Sequence, residues 1–185
     1  MENDNSELLT NIDQGPSLRE LLARKRARNE KSFVELRAER LKKIKEEFNL
    51  PGKGYLYYPA CGEDNSPSLA FPEWTVFYMD AENTNISRFS NDNVVIKGDL
   101  MNPPFESKQE QFDVVMLVSP GNHFVDFSPD YIKKAVESLK TNGLLICDDY
   151  HGTASDIREN LKSTFKEVGE NQLELKVFQK MDNGI

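Results

Sequence analysis

Apolar positions along this chain follow two rhythms, a helical spacing before residue 50 and short unbroken runs after it. In the first part, Leu18, Leu21 and Leu22 mark one face, and Val34, Leu41, Ile44 and Phe48 mark another, as a helix requires. Ser17, with Glu20 three residues on, has the capping-box spacing that satisfies the first free N–H groups of such a helix. Pro51-Gly52 then breaks the pattern. Five runs rich in β-branched and aromatic residues follow, at 55–59, 75–80, 93–97, 112–118 and 144–149. Most are apolar throughout, as strands buried on both faces must be, so a parallel sheet is expected. A helix is predicted over 129–139, with Ser128 as N-cap and Pro129 in its first turn, and Asn142-Gly143 supplies the turn into the next strand. A second helix fits 153–163, and 165–168 and 173–181 read as two closing strands. Strands alternating with helices predict a doubly wound α/β domain with a mostly parallel seven-stranded sheet. The organisation expected is a flexible polar tail over 1–16, an N-terminal helical extension over 17–50, and the α/β domain over 51–185.

Composition changes this picture little. With 185 residues, 38% hydrophobic and 29% charged, the chain suits one water-soluble domain, and it lacks an apolar run near the ~20 residues of a membrane span. The N-terminus MENDNSELLT is acidic and polar, unlike a secretory leader, so a cytoplasmic location is expected. Two cysteines, Cys61 and Cys147, sit in apolar runs and read as small core residues. Charge is more informative. Residues 17–48 hold 11 Lys+Arg against 6 Asp+Glu, or +5, whereas the remainder holds 12 against 25, or −13. The run Arg24, Lys25, Arg26 and Arg28 is either a solvated helix face or a contact for nucleic acid or another polyanion; the acidic body argues against broad phosphate contact.

Ligands of open α/β sheets bind beyond the carboxyl ends of the strands, so candidate chemistry is read there. The first strand runs into Tyr58-Pro59-Ala60-Cys61-Gly62-Glu63-Asp64, the second ends in Asp80-Ala81, and the third in Gly98-Asp99-Leu100. The fourth ends in Ser119-Pro120-Gly121-Asn122-His123, and the fifth in Asp148-Asp149-Tyr150. In this order the segments resemble the class I S-adenosylmethionine-dependent methyltransferases from residue 55 onward. Cys61 and Gly62 match the family's glycine-rich loop, whereas Ala60 and Asp64 stand where glycines are usual and Tyr58 where an acid is usual.

The resemblance implies a Rossmann-like methyltransferase fold and S-adenosylmethionine as cofactor. It places Pro59, Ala60, Cys61 and Gly62 against the methionine part, Asp80 and Ala81 at the ribose, Asp99 and Leu100 at the adenine, and Ser119 beside the cofactor. A carboxylate such as Asp80 has two oxygens suited to a vicinal diol. Asn122 or His123 holds or deprotonates the acceptor group, or else forms a Pro-Gly turn with a surface histidine. Asn102-Pro103-Pro104-Phe105 has the amine-binding tetrapeptide of amino-group methyltransferases, but it precedes the fourth strand and reads better as a packing turn. Asp148 and Asp149 resemble the acids of metal-dependent O-methyltransferases; Ser119 at the strand-four position removes a charged ligand, and no metal is expected.

A nicotinamide dehydrogenase shares the strand order, but its pyrophosphate needs a GxGxxG turn, and Glu63 and Asp64 would face it with negative charge. Two functions remain. One is a methyltransferase acting on an unassigned methyl acceptor; the other is a non-catalytic methyltransferase-like module that binds a partner through its basic helix or acidic body.

Overall fold

A stripe of residues at helical spacing explains the first element, helix α1, Phe33–Glu47. Glu35 in its first turn and Lys45 in its last complement the helix dipole, and its buried side is Arg37, Ala38, Leu41 and Ile44. The helix ends where Asn49 takes a left-handed φ of 50° and the Leu50 N–H returns to the Lys45 carbonyl at 3.0 Å. That 6→1 bond closes the helix and turns the chain toward Pro51. In this computed structural model the described residues are 32–81, 93–98, 101, 110–119, 127–148, 152–170 and 175–182. The capping box at Ser17, the basic residues Arg24, Lys25, Arg26 and Arg28, and the 102–105 tetrapeptide lie outside them.

The strands are β1 Tyr55–Pro59, β2 Thr75–Asp80, β3 Val94–Lys97, β4 Phe112–Leu117, β5 Leu139–Asp148, β6 Phe165–Glu170 and β7 Leu175–Lys180. They form one sheet in the order β3-β2-β1-β4-β5-β7-β6. The first five are parallel, whereas β7 runs antiparallel to both neighbours, and β6 pairs in the sheet through β7. The doubly wound, mostly parallel sheet expected from the alternating runs is therefore present. Successive residues of a strand face opposite sides, and the core divides accordingly. Leu56, Tyr58, Val114, Met116 and Ile146 pack with Leu41 and Ile44 of α1 on one side. On the other, Tyr57, Val115, Leu117 and Leu145 pack with helix α3, Pro129–Val136, and helix α4, Thr153–Asn160. Cys61 and Cys147 are buried thiols, as their apolar surroundings imply.

Helix α4 ends at Asn160, short of the expected 163, and β6 runs on to Glu170; three further departures have a clear cause. Helix α2, Ser66–Ala70, follows β1 and spans too few residues to leave a periodic signal. Helix α3 keeps its predicted cap, with the Ser128 hydroxyl accepting from the Tyr131 N–H at 3.3 Å, but it stops at Val136. Leu139 pairs with Phe112 as the start of β5, and the register then slips until Leu144 opposes Val114. Asn142-Gly143 is thus a kink inside a strand rather than a turn before it. Asn142 holds a φ of 64°, and a Cβ on Gly143 would lie 2.8 Å from the Lys140 carbonyl oxygen. Among the described residues no helix is long and apolar enough to cross a membrane.

Candidate functional site

The strand order reverses direction between β1 and β4, and in such sheets that crevice is where ligands are bound. Its wall on the β1 side is the turn from Ala60 to Asn65. Ala60 and Gly62 both take left-handed backbone, at φ 52° and 54°. Glycine adopts that region freely; an alanine there costs about 1–2 kcal/mol, so Ala60 keeps the conformation a glycine would have had and carries strain instead. The Cys61 N–H bonds to the Met79 carbonyl at 3.3 Å, and the Asp64 N–H to the Cys61 carbonyl at 3.0 Å.

Asp80, at the end of β2, ties this turn to the neighbouring strands. Its carboxylate Oδ2 accepts from the Gly62 N–H at 2.8 Å, and its carbonyl accepts from the Gly98 N–H at 3.0 Å. Two residues singled out from separate strand ends, Gly62 and Asp80, are therefore in direct contact, with Pro59, Ala60 and Cys61 beside them in the chain. Ala81 is exposed immediately after Asp80. The Cys61 thiol is buried, and burial together with the Asp80 charge pushes its pKa up, which makes it a packing group rather than a nucleophile.

Beneath the turn lies a polar cluster that the sequence reading passed over. Arg37 of α1, Tyr58 of β1 and Asp64 of the turn are all buried. The Asp64 Oδ2 pairs with the Arg37 Nη1 and accepts from the Tyr58 hydroxyl at 3.0 Å. Its Oδ1 accepts from the Ser66 N–H at 2.9 Å. Arg37 Nη1 also donates to the Tyr58 hydroxyl at 3.2 Å, and its Nη2 donates to the Ser119 carbonyl at 2.8 Å. The Tyr58 hydroxyl lies 3.0 Å from the Val118 carbonyl as well. Ser119 is buried, and its N–H donates to the Asp148 carboxylate at 2.7 Å. The ends of β1, β4 and β5 are thereby joined to α1 through charged hydrogen bonds.

The geometry gives two of the acids a partner. Asp64 is paired with Arg37, so it is not an unneutralised acid facing the ligand crevice. Asp148 accepts from the Ser119 backbone amide, a partner for its buried carboxylate. Asp99, Leu100, Asn122, His123 and Asp149 lie outside the described residues. Arg37 had left a signal: it falls between Val34 and Leu41 on the stripe that Ile44 and Phe48 continue, so a charge stands at a core position.

Burial, and then the Asp64 charge, push the Tyr58 phenol well above its ordinary value, against the opposing pull of Arg37. Burial likewise raises Tyr57, Tyr78 and Tyr131. A raised folded pKa favours the neutral phenol, so its contribution to stability is complete below the unfolded value of about 10 and is lost as pH climbs beyond it. In an alkaline titration these four of the six tyrosines are expected to ionise in one step with the loss of far-ultraviolet ellipticity. Gradual ionisation of these four within an intact fold would contradict their burial.

No protein-family model and no characterised protein matches the sequence. Solved structures do match the fold. The N-methyltransferase NodS from Bradyrhizobium japonicum superposes with a TM-score of 0.60 at 14% identity, over 83% of this chain and 99% of that one. A TehB-like SAM-dependent methyltransferase from Corynebacterium glutamicum gives 0.58 at 13%, over 89% and 96%. The 1,6-didemethyltoxoflavin-N1-methyltransferase of Burkholderia thailandensis, solved with S-adenosylhomocysteine bound, gives 0.56 at 12%, over 90% and 92%. The chain has the Rossmann-like fold of the S-adenosylmethionine-dependent methyltransferases.

Proposed function

We propose that the protein binds S-adenosylmethionine at the carboxyl edge of β1 and β2 and transfers its methyl group to an acceptor. The observation that carries this reading is the 2.8 Å contact between the Asp80 carboxylate and the Gly62 N–H, at the carboxyl ends of β2 and β1 beside the crevice where the strand order reverses. The donor set fits the cofactor's ribose end: a half-buried carboxylate suits a vicinal diol, and a turn with two left-handed residues allows close backbone approach. The neighbours of this fold include methyltransferases solved with S-adenosylhomocysteine, which supports the same assignment.

In this reading Asp80 and Ala81 border the ribose, and Pro59 to Gly62 line the methionine part. Asp99 and Leu100 bracket the adenine, Ser119 closes the β4 side, and Asn122 or His123 holds the acceptor. When bound, the cofactor supplies an electrophilic methyl on a sulfonium. Transfer by in-line displacement rests on alignment of donor and acceptor more than on a dedicated acid or base. The residues named therefore bind and orient.

Calorimetry with S-adenosylhomocysteine tests the reading. Wild type should bind, and Asp80→Ala should weaken binding by about 10- to 100-fold, the loss of hydrogen bonds to a charged group. Absence of binding by the wild type at about 1 mM ligand would reject it in favour of a non-catalytic module.

A further inference from the structure

We propose that Arg37 is the positioning residue of the ligand-binding turn, and that Arg37, Tyr58 and Asp64 form one compensated set in place of the fold's usual acid and glycine. The significance of the turn for a ligand rests on the reading above; the positioning itself does not.

The argument starts from charge. The described residues bury a guanidinium in α1, and a buried cation must be paired. With tyrosine at 58, the strand offers Arg37 only a phenol at 3.2 Å. The carboxylate that neutralises it comes instead from Asp64, six residues along the chain and inside the turn. A glycine at 64 would leave Arg37 unpaired, and an acid at 58 beside Asp64 would set two carboxylates against one cation. The departures at 58 and 64 are thus consistent only together, and only with Arg37 present.

The geometry then shows what the pair does to the turn. One Asp64 oxygen holds the Ser66 N–H and the other holds Arg37 and Tyr58. The Asp64 N–H bonds back to Cys61, directly before Gly62. A side chain anchored at three points takes over what glycines do by having none: it selects the one backbone path that carries the Gly62 N–H to Asp80. Because Arg37 also grips the Ser119 carbonyl, α1, the turn and the end of β4 are held as one piece.

The test separates positioning from simple stabilisation. Arg37→Met and Asp64→Leu each leave a lone buried charge and should lower the unfolding midpoint. The double variant Arg37→Met/Asp64→Leu removes both charges and should recover most of that loss. If the pair only stabilises, the double variant should also regain wild-type protection of the Gly62 amide against hydrogen exchange. Positioning predicts instead that this amide exchanges on the order of tenfold faster than in wild type, and that S-adenosylhomocysteine binding stays weakened. Arg37→Lys, which keeps the charge but not the several directed bonds, should fold and show a smaller acceleration. Should the double variant fail to fold, Arg37→Lys decides alone. Unchanged Gly62 protection in the folded variants overturns the proposal. If wild type binds no S-adenosylhomocysteine, the functional reading fails, and amide exchange still judges the positioning.

Discussion

Arg37→Met is expected to lower the free energy of unfolding by about 3–5 kcal/mol, the usual consequence of leaving one member of a buried ion pair without its partner. For a domain of this size that is a fall of roughly 6–20 °C in Tm. Urea denaturation followed by far-ultraviolet ellipticity measures it as a lower midpoint with an unchanged slope. A control lies on the surface. Arg158 makes two bonds of 2.8 Å to Glu167, which hold that carboxyl below its usual range, yet both groups are substantially solvated. Arg158→Met should therefore cost about 1 kcal/mol or less. Equal effects of the two substitutions would mean that Arg37 is not buried as described.

Leu41→Ala should cost about 2–5 kcal/mol, because Leu41 is wholly buried against the sheet and its truncation leaves a cavity as well as lost burial. Leu41 lies one turn from Arg37 on the same side of α1. A helix already loosened by the loss of Arg37 has less packing left to lose, so the two costs should sum to more than the double variant shows. A coupling of at least about 0.5 kcal/mol is expected. Strict additivity would indicate that the apolar and ionic contacts of α1 act independently.

Much of the fold could be read from the chain because long apolar runs and turn residues follow from burial alone. The five parallel strands are found within a residue or two of their expected limits, except β5, which begins at Leu139, the last residue of the expected helix, rather than at Leu144. That error has a physical cause. Val136 to Leu139 suits either a helix end or a strand start, and only pairing with Phe112 decides it. The site was legible as points. The resemblance to the methyltransferases named Gly62 and Asp80, but the bond between them needed the third dimension. The cluster of Arg37, Tyr58 and Asp64 was hidden because its members are 21 and 6 residues apart in the chain. Arg37 alone reads as a charge on a core stripe, and Tyr58 and Asp64 as degraded motif positions, with nothing in the chain to join them.

The order of the last two strands decides how one side of the sheet is held. β6 reaches the sheet by pairing with β7, which is later in sequence and lies between it and β5. β6 therefore has no place in the sheet except through β7, and Phe165, a residue of the core, sits on the strand that depends on it. A chain without β7 would thus lose two strands from this side of the sheet rather than one, and β5 would become its edge.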